Sequence, residues 1–182
     1  QIMLYRSSRG FSLIEMMVTL AIFLIITAAI FLTLATGRMY WYTGSVQLTV
    51  HQEARRGLEY MTGELRQSSL AKISFSGQPD AEGYYNNITF NIPQDRTSPP
   101  DGNIATNGSV EWSDNITYSL NNNQLIRTPS KGTGATDVLA NNIVGLRFKR
   151  SEVLDVEITS QKQTTQQYNI SSILQTKVKL RN

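Results

Sequence analysis

The chain has 182 residues, of which 40% are hydrophobic and only 17% are charged, and its formal net charge is +3. This length suits about one domain with a short additional segment. Because cysteine is absent, the composition excludes a disulfide framework, a thiolate nucleophile and a Cys/His zinc site. No block of basic residues is present that would follow a phosphate backbone, so we expect no nucleic-acid partner.

A long apolar segment lies within the first forty residues. The twenty residues from Met16 to Ala35 include no charged side chain. At about 1.5 Å per residue, a helix of this length spans about 30 Å, the thickness of a bilayer core. Arg6 and Arg9 precede the segment, and the aromatic run Tyr40–Tyr42 follows it. The positive-inside rule therefore predicts a single-pass helix with a cytoplasmic N-terminus, so that the residues after Arg38 are exported.

Glu15 is unusual for an ordinary membrane anchor. It lies next to Met16, at the edge of the apolar segment. A carboxylate at the centre of a bilayer costs about 2.5–3.5 kcal/mol, and one near the edge costs less but is still unfavourable. We therefore expect Glu15 to have a functional partner.

Gly10-Phe11-Ser12-Leu13-Ile14-Glu15, followed by the apolar segment, resembles the processing site of type IV prepilins. The resemblance implies that prepilin peptidase cleaves after Gly10 and that Phe11 becomes the N-methylated terminus of the mature chain. It also implies that Glu15 is the carboxylate typical of the family. Residues 1–10 would then be the leader, with Met3 as a candidate initiator.

The amine that cleavage creates at Phe11 is a suitable partner for Glu15 of a neighbouring subunit. In a medium of low dielectric constant such a pair is strongly attractive, and it would fix the axial register between subunits. The alternative is a generic anchor or a signal peptide. A signal peptide, however, has a shorter apolar region, and its cleavage site follows that region.

A helical pattern continues beyond the apolar segment. No proline occurs between Gln1 and Gln78, and apolar or small residues recur every three or four positions, at Val46, Val50, Ala54, Leu58, Met61 and Leu65. This spacing is typical of an amphipathic helix. We predict a transmembrane or filament-core helix at residues 11–36 and its amphipathic continuation at residues 37–70.

From Lys72 onward the apolar residues alternate with polar ones. Five segments show this period of two, namely 88–92, 116–120, 144–148, 154–158 and 174–180. Such alternation predicts half-buried antiparallel strands, with a hairpin at Asn121-Asn122-Asn123. We expect polar loops at 93–110, 128–136 and 160–169.

The predicted fold class is therefore α+β: a long N-terminal helix, transmembrane in its first half and amphipathic in its second, packed on an exported antiparallel β domain at residues 71–182. If the last two strands pair, Asp155 and Glu157 could lie opposite Lys177 and Lys179.

Segments of the second half resemble PilW-type minor pilins, and J-type pseudopilins of type II secretion share much of the layout. These segments are Gly57 to Gln67, Ile116 to Leu120, Leu125 to Arg127 and Val178 to Asn182. The resemblance implies a type IV pilin-like fold and a scarce subunit that helps to initiate a filament. It also implies four kinds of partner: prepilin peptidase, other pilins or pseudopilins, the inner-membrane assembly machinery and membrane lipid.

We find no catalytic constellation in the sequence. His51 is the only histidine, and its position on the polar side of the predicted helix indicates a solvated residue. We therefore predict a non-enzymatic protein without a cofactor or a metal. The alternative function is that of a single-pass membrane protein whose exported domain binds a ligand as a monomer, and such a protein would need neither Glu15 nor a free amine at Phe11.

Overall fold

A computed structural model describes residues 10–94, 104, 108–129, 136–164 and 167–181. The leader residues before Gly10 lie outside the described residues, as do 95–103 and 105–107 of the predicted loop at 93–110 and 130–135 of the predicted loop at 128–136. The chain divides into two compact units, Gln1–Gly44 and Ser45–Asn182. A single helix, α1 (Leu13–Leu65), provides the described secondary structure of the first unit and continues into the second.

The apolar half of α1 makes up most of the described part of the first unit. The helix begins at Leu13, two residues after the predicted start, and the Met16 amide donates its first-turn hydrogen bond to the Ser12 carbonyl at 3.1 Å. Its large apolar side chains, from Leu13 to Leu34, are all exposed. Among the described residues, α1 is the one helix whose length and composition allow it to cross a membrane.

The second unit contains two antiparallel sheets. A five-stranded sheet has the strands in chain order, and a three-stranded sheet follows it. The strands of the first sheet are β1 (Ile73–Ser76), β2 (Asn87–Phe90), β3 (Ile116–Asn121), β4 (Gln124–Pro129) and β5 (Asp137–Asn141). The strands of the second sheet are β6 (Ile143–Arg150), β7 (Leu154–Gln163) and β8 (Asn169–Val178). The predicted α+β class and antiparallel pairing are confirmed.

The amphipathic half of α1 packs on these sheets. Its buried residues are Val46, Val50, Ala54, Gly57, Met61 and Leu65, as the periodicity predicted, with one exception. Leu58 is only half-buried, and Gly57 occupies the central position of the buried face instead. Burial of this face, rather than helix propensity, is the main source of the helix's stability in the second unit.

The helix ends at Leu65, before the predicted end at residue 70. Its last turn tightens, because the amides of Gln67 and Ser68 donate to carbonyls three residues earlier. Ser68 is fully buried, and its carbonyl accepts the Arg181 amide at 2.9 Å. This pairing with the C-terminal segment requires extended backbone at residues 68 and 69, and a continued helix would prevent it.

The predicted hairpin is confirmed, whereas four details of the strand predictions are wrong. Asn122 and Asn123 form a two-residue connection between β3 and β4, both with positive φ. In β6 a register shift between Ile143 and Gly145 places Val144 on the exposed side, so the predicted alternation of Val144 with the buried Leu146 fails.

Two further details concern the polar ends of long strands, and the last concerns a pairing between strands. Two segments predicted as loops begin inside strands, because β4 continues to Pro129 and β7 to Gln163. Their side chains are polar, but backbone pairing with neighbouring strands satisfies their amides and carbonyls. Asp155 does lie opposite Lys177, whereas Glu157 lies opposite Gln175 rather than Lys179.

Candidate processing and assembly site

The residues of the predicted processing site lie where α1 begins. Gly10 and Phe11 precede the first helical residue and are exposed, Phe11 to 77%. The peptide bond between them is therefore free of helical hydrogen bonds and accessible from solvent. A peptidase requires this kind of backbone, because it must bind the chain in an extended form.

Glu15 lies in the first turn of α1 and is exposed. Its backbone carbonyl accepts the Thr19 hydroxyl at 2.9 Å, but its carboxylate has no hydrogen-bond or ion-pair partner within the described part of the chain. The helix N-terminus is electrostatically favourable for a negative charge. That interaction does not replace the hydration that a carboxylate loses in hydrocarbon, so the position calls for a cationic partner.

The threonines of the apolar segment differ from Glu15, because each satisfies its own hydroxyl. Thr19, Thr27, Thr33 and Thr36 donate to carbonyls of the preceding turn at 2.8–2.9 Å. Such bonds remove the cost of a polar group in lipid, where water is absent. Glu15 is thus the one side chain between Leu13 and Thr36 that still needs a partner outside its own helix.

Aromatic side chains follow the apolar segment. Tyr40 and Trp41 are exposed to 74% and 81% on the same helix, next to Arg38. Amphipathic rings and a cation at this point are typical of a membrane–water interface.

In the second unit, a cluster of three side chains joins the end of α1 to the five-stranded sheet. The Tyr118 hydroxyl donates to Glu64 at 2.5 Å, and the Arg127 Nε lies 3.1 Å from both oxygens of the same carboxylate. Burial, together with the hydrogen bond to Glu64, raises the pKa of Tyr118 well above its usual value. The cluster holds the helix end against the sheet.

A second charged cluster centres on Arg147 of β6. Its guanidinium contacts Asp80 at 2.6 Å, Glu82 at 2.7 Å and Glu157 at 3.2 Å, and it lies over the ring of Tyr84. The backbone amide of Tyr84 and the Arg147 side chain lower the pKa of Asp80. Hydrogen bonds to Asp80 and Glu82 in turn raise the pKa of Arg147.

The sequence analysis did not find the Arg147 cluster. Apart from Glu157 of β7, its partners lie in the irregular segment between β1 and β2, which carries neither of the two periodic patterns. The sequence feature that could have indicated this cluster is the group Asp80, Glu82 and Tyr84, which lies between two antiparallel strands.

His51 is not merely solvated, as the sequence predicted. Its Nδ1 lies 2.9 Å from the Ser172 hydroxyl on β8, although the residue as a whole remains exposed. No carboxylate contacts its ring among the described residues, so the pair is not part of a Ser-His-Asp site. A search of the same residues finds no group of three or more His, Cys, Asp or Glu side chains that could hold a metal ion.

Comparison with known proteins gives one match, and it covers the N-terminal site. Residues 5–31 match the family model for the prokaryotic N-terminal methylation motif. Neither the search of curated proteins nor the search of solved structures returned a match. The motif and the apolar helix together indicate membrane anchoring and support a type IV pilin-like or pseudopilin-like protein.

Two further statements follow from the motif itself. It implies processing by prepilin peptidase and association with other pilins. Pilin-like proteins with this motif are generally structural rather than enzymatic.

Proposed function

We propose that the chain is a minor pilin, a non-enzymatic subunit that helps to initiate, or joins, the assembly of a type IV pilus. The observation that carries the proposal is the methylation motif at residues 5–31, on a helix whose apolar half is exposed and in which Glu15 is the one side chain between Leu13 and Thr36 that lacks a partner among the described residues. A monomeric anchor gives no reason for a carboxylate at that position.

Processing is the first step of the proposed function. Prepilin peptidase cleaves between Gly10 and Phe11 on the cytoplasmic side, and the new terminus at Phe11 is methylated. The apolar half of α1 then holds the subunit in the inner membrane, with the second unit in the periplasm. The exposed peptide bond before Leu13 is compatible with this reaction.

Assembly is the second step. The cationic amine of Phe11 in one subunit pairs with Glu15 of its neighbour as the apolar helices associate. The pair neutralises two charges that would each be costly alone in hydrocarbon. Because it forms at one axial offset only, it sets the register between subunits, while the apolar side chains supply the contact area.

A J-type pseudopilin of a type II secretion system is the second candidate. The same methylation motif supports it, since pilins and pseudopilins share this segment. The two candidates differ in the filament that the subunit joins. Cross-linking to neighbours in cells that carry only a pilus system or only a secretion system distinguishes them.

The mass of the N-terminus tests the proposal. The full chain is expressed in cells with and without prepilin peptidase, purified and analysed by intact mass and N-terminal peptide mapping. We expect a chain beginning at N-methylated Phe11 only when the peptidase is present, and an intact leader in the Gly10→Val variant. The matched control is Gly37→Val, a glycine within α1 that also has open space around it, and this variant should be processed normally.

Two results would overturn the proposal. An intact leader in the presence of the peptidase would show that the match at Gly10 to Glu15 is fortuitous. A cut beyond Ala35 would identify an ordinary signal sequence. In either case the second unit acts as a monomer with a binding function of its own.

A further inference from the structure

A groove lies on the three-stranded sheet, on the face that carries Asp155 and Glu157. Its volume is about 580 Å³, within the range of about 300–1,000 Å³ that is typical of small-molecule sites. Strands β7 and β8 and the segment before β2 line it, through Tyr84, Asp155, Val156, Glu157, Gln175, Thr176 and Lys177. The groove belongs entirely to the second unit and is remote in sequence from the processing site.

Asp155 has an unmet hydrogen-bonding requirement in this groove. Its Oδ1 atom is buried and accepts no hydrogen bond from the described residues. Lys149 and Lys177 are its register partners on the two neighbouring strands, yet neither forms an ion pair with it. The Lys149 ammonium instead donates to the Glu82 carbonyl at 2.8 Å. A buried acceptor without a donor is unfavourable. The residue as a whole is only half-buried, so a donor supplied from outside the chain can reach the Asp155 carboxylate.

The neighbouring carboxylate shows that the groove does not lack partners in general. Glu157 accepts a hydrogen bond from Arg147 at 3.2 Å and another from the Gln175 amide. Arg147 is in turn held by Asp80 and Glu82. Of the two carboxylates that line the groove, only Asp155 is left available to a ligand.

The charges around the groove are nearly balanced. Four carboxylates and three cations lie in it or next to it: Asp80, Glu82, Asp155, Glu157, Arg147, Lys149 and Lys177. A site of this kind selects neither a strong cation nor a strong anion. It offers acceptors and donors together, and hydroxyl groups satisfy both because each donates one hydrogen bond and accepts others.

We propose that this groove binds a neutral polyhydroxylated ligand, such as a hexose unit of a glycan. The Asp155 carboxylate accepts one ligand hydroxyl, and the Lys177 ammonium donates to a second. The Tyr84 ring, which Arg147 and Lys149 hold in place by cation–π contacts at 4.3 and 5.3 Å, forms the aromatic wall. The proposal does not depend on the filament function, because a monomeric exported domain would carry the same groove.

The test is a titration of the full-length chain in a zwitterionic phosphocholine detergent, since sugar-headed detergents would compete for the groove. The probes are D-glucose, D-galactose and lactose, and the readout is the backbone amide shifts of Val156 and Thr176. We expect saturable shifts with at least one probe. Asp155→Ala should weaken binding about tenfold or more, because a hydrogen bond to a charged group is lost.

The control variant is Glu152→Gln, which removes an exposed carboxylate from the connection between β6 and β7 and should leave the affinity unchanged. The near-isosteric Asp155→Asn variant replaces Asp155→Ala if the latter fails to fold, and it should also bind more weakly than the wild-type chain. Three results would overturn the proposal. These are the absence of saturable shifts with all three sugars, equal affinity in both Asp155 variants and the wild type, and binding only of Nα-acetyl-lysine methylamide or inorganic phosphate.

Discussion

Gly57 of α1 lies directly against Leu125 of β4, so closely that a Cβ atom on the glycine would be 2.9 Å from Leu125 Cδ2. The same atom would be 3.1 Å from Ile158 Cδ1 and 3.3 Å from Ala140 Cβ. The helix can therefore approach both sheets at this point only because residue 57 has no side chain. A glycine costs up to about 1 kcal/mol inside a helix, and here the close packing of the core offsets that cost.

The first prediction is that Gly57→Ala destabilises the second unit. The new methyl group should cost about 1–3 kcal/mol through overpacking, which exceeds the gain in helix propensity of about 1 kcal/mol. The midpoint of thermal unfolding of the full-length chain in detergent measures the effect.

Gly63→Ala is the matched control for this prediction. Gly63 lies on the same helix with nothing within 4 Å of its virtual Cβ, so the alanine should raise stability by up to about 1 kcal/mol. Equal effects of the two substitutions would show that helix propensity, and not the contact with Leu125, decides the outcome at residue 57.

The relation between sequence and structure differs along α1. The buried stripe was predictable from Val46 to Leu65, because an amphipathic helix repeats every 3.6 residues. Its end was not predictable, because the helix stops where the Ser68 carbonyl pairs with Arg181. That contact joins residues far apart in sequence, and no local pattern encodes it.

The sheets show the same limit. The hairpin at Asn122 and Asn123 was predictable from local turn chemistry, whereas the bulge that exposes Val144 was not. Gly145 is the residue of the sequence that marks this bulge. A Cβ atom at this position would lie 3.0 Å from Thr159 Cβ on the paired strand, so a side chain does not fit. Gly10, Phe11 and Glu15 lie within one short segment, so the sequence alone was enough to propose them as the processing and assembly residues, and the family model matches this segment. Asp155 could not be identified in this way, because its groove is built from three separate segments.

The second prediction concerns the cluster that fixes the end of α1. Glu64→Gln should destabilise the second unit by about 1.5–3 kcal/mol, because Arg127 and the Tyr118 hydroxyl both lose a charged acceptor. The side chains of Arg127 and Glu64 are only 17% and 15% exposed, so water replaces the lost interaction poorly. Chemical unfolding of the full-length chain in detergent, monitored by circular dichroism, measures the change.

Glu59→Gln is the matched control, since it makes the same chemical change on the same helix. Glu59 pairs with Arg55 at 2.7 Å, but both side chains are mostly exposed. Exposed pairs contribute about 0–1 kcal/mol, so this variant should remain close to the wild type. If Glu59→Gln proved as harmful as Glu64→Gln, the loss would reflect helix charge rather than the cluster with Tyr118.

The third prediction is that the stability of the folded state depends on pH in the acidic range because of Asp80. Its folded-state pKa is lowered, first by the Tyr84 amide and then by Arg147. Because the pKa of Asp80 is lower in the folded state, its charged carboxylate stabilises the folded state at pH values above the unfolded-state pKa of about 3.9. This stabilisation is lost as the pH falls through the folded-state pKa. Asp80→Asn should therefore be less stable than the wild type near neutral pH, and the difference should shrink below about pH 4.

Melting temperatures of the wild type and Asp80→Asn across this acidic range check the prediction. Glu152→Gln, which alters an exposed carboxylate outside the Arg147 cluster, should follow the wild-type curve. A constant difference between Asp80→Asn and the wild type at every pH would show that the variant acts through the shape of the turn and not through the charge of Asp80.

The fourth prediction concerns the turn between β3 and β4. Asn122 and Asn123 have φ values of 48° and 58°, in the left-handed region. This region costs most L-residues about 1–2 kcal/mol, whereas Gly and Asn adopt it readily. Asn123→Ala should therefore destabilise the unit by about 1 kcal/mol, and Asn123→Gly should be neutral or stabilising. Thermal unfolding of both variants decides the matter, and equal losses in the two would show that the Asn123 side chain acts by another route.

The last prediction concerns Glu15 in the proposed filament. Replacement by Gln keeps the size of the side chain but removes the charge that would pair with the amine of Phe11. Processing after Gly10 should continue, because the scissile bond precedes the helix, while incorporation into filaments should fall strongly. Glu15→Asp should recover part of the incorporation, since it restores the charge on a shorter side chain. The measurement is the fraction of processed chain in sheared or cross-linked filaments, with N-terminal mass recorded in parallel.

The helix supplies its own control for this experiment. Thr19→Val changes a polar side chain one turn away, but its hydroxyl bonds only to carbonyls of the same helix, so incorporation should remain normal. If Glu15→Gln were cleaved correctly before Phe11 and still incorporated normally, the processing step of the proposal would stand and the role of Glu15 in assembly would not. The chain would still be a processed pilin-like subunit, but its register would be set by apolar contacts, and Glu15 would need another partner to explain a charge at the edge of the membrane.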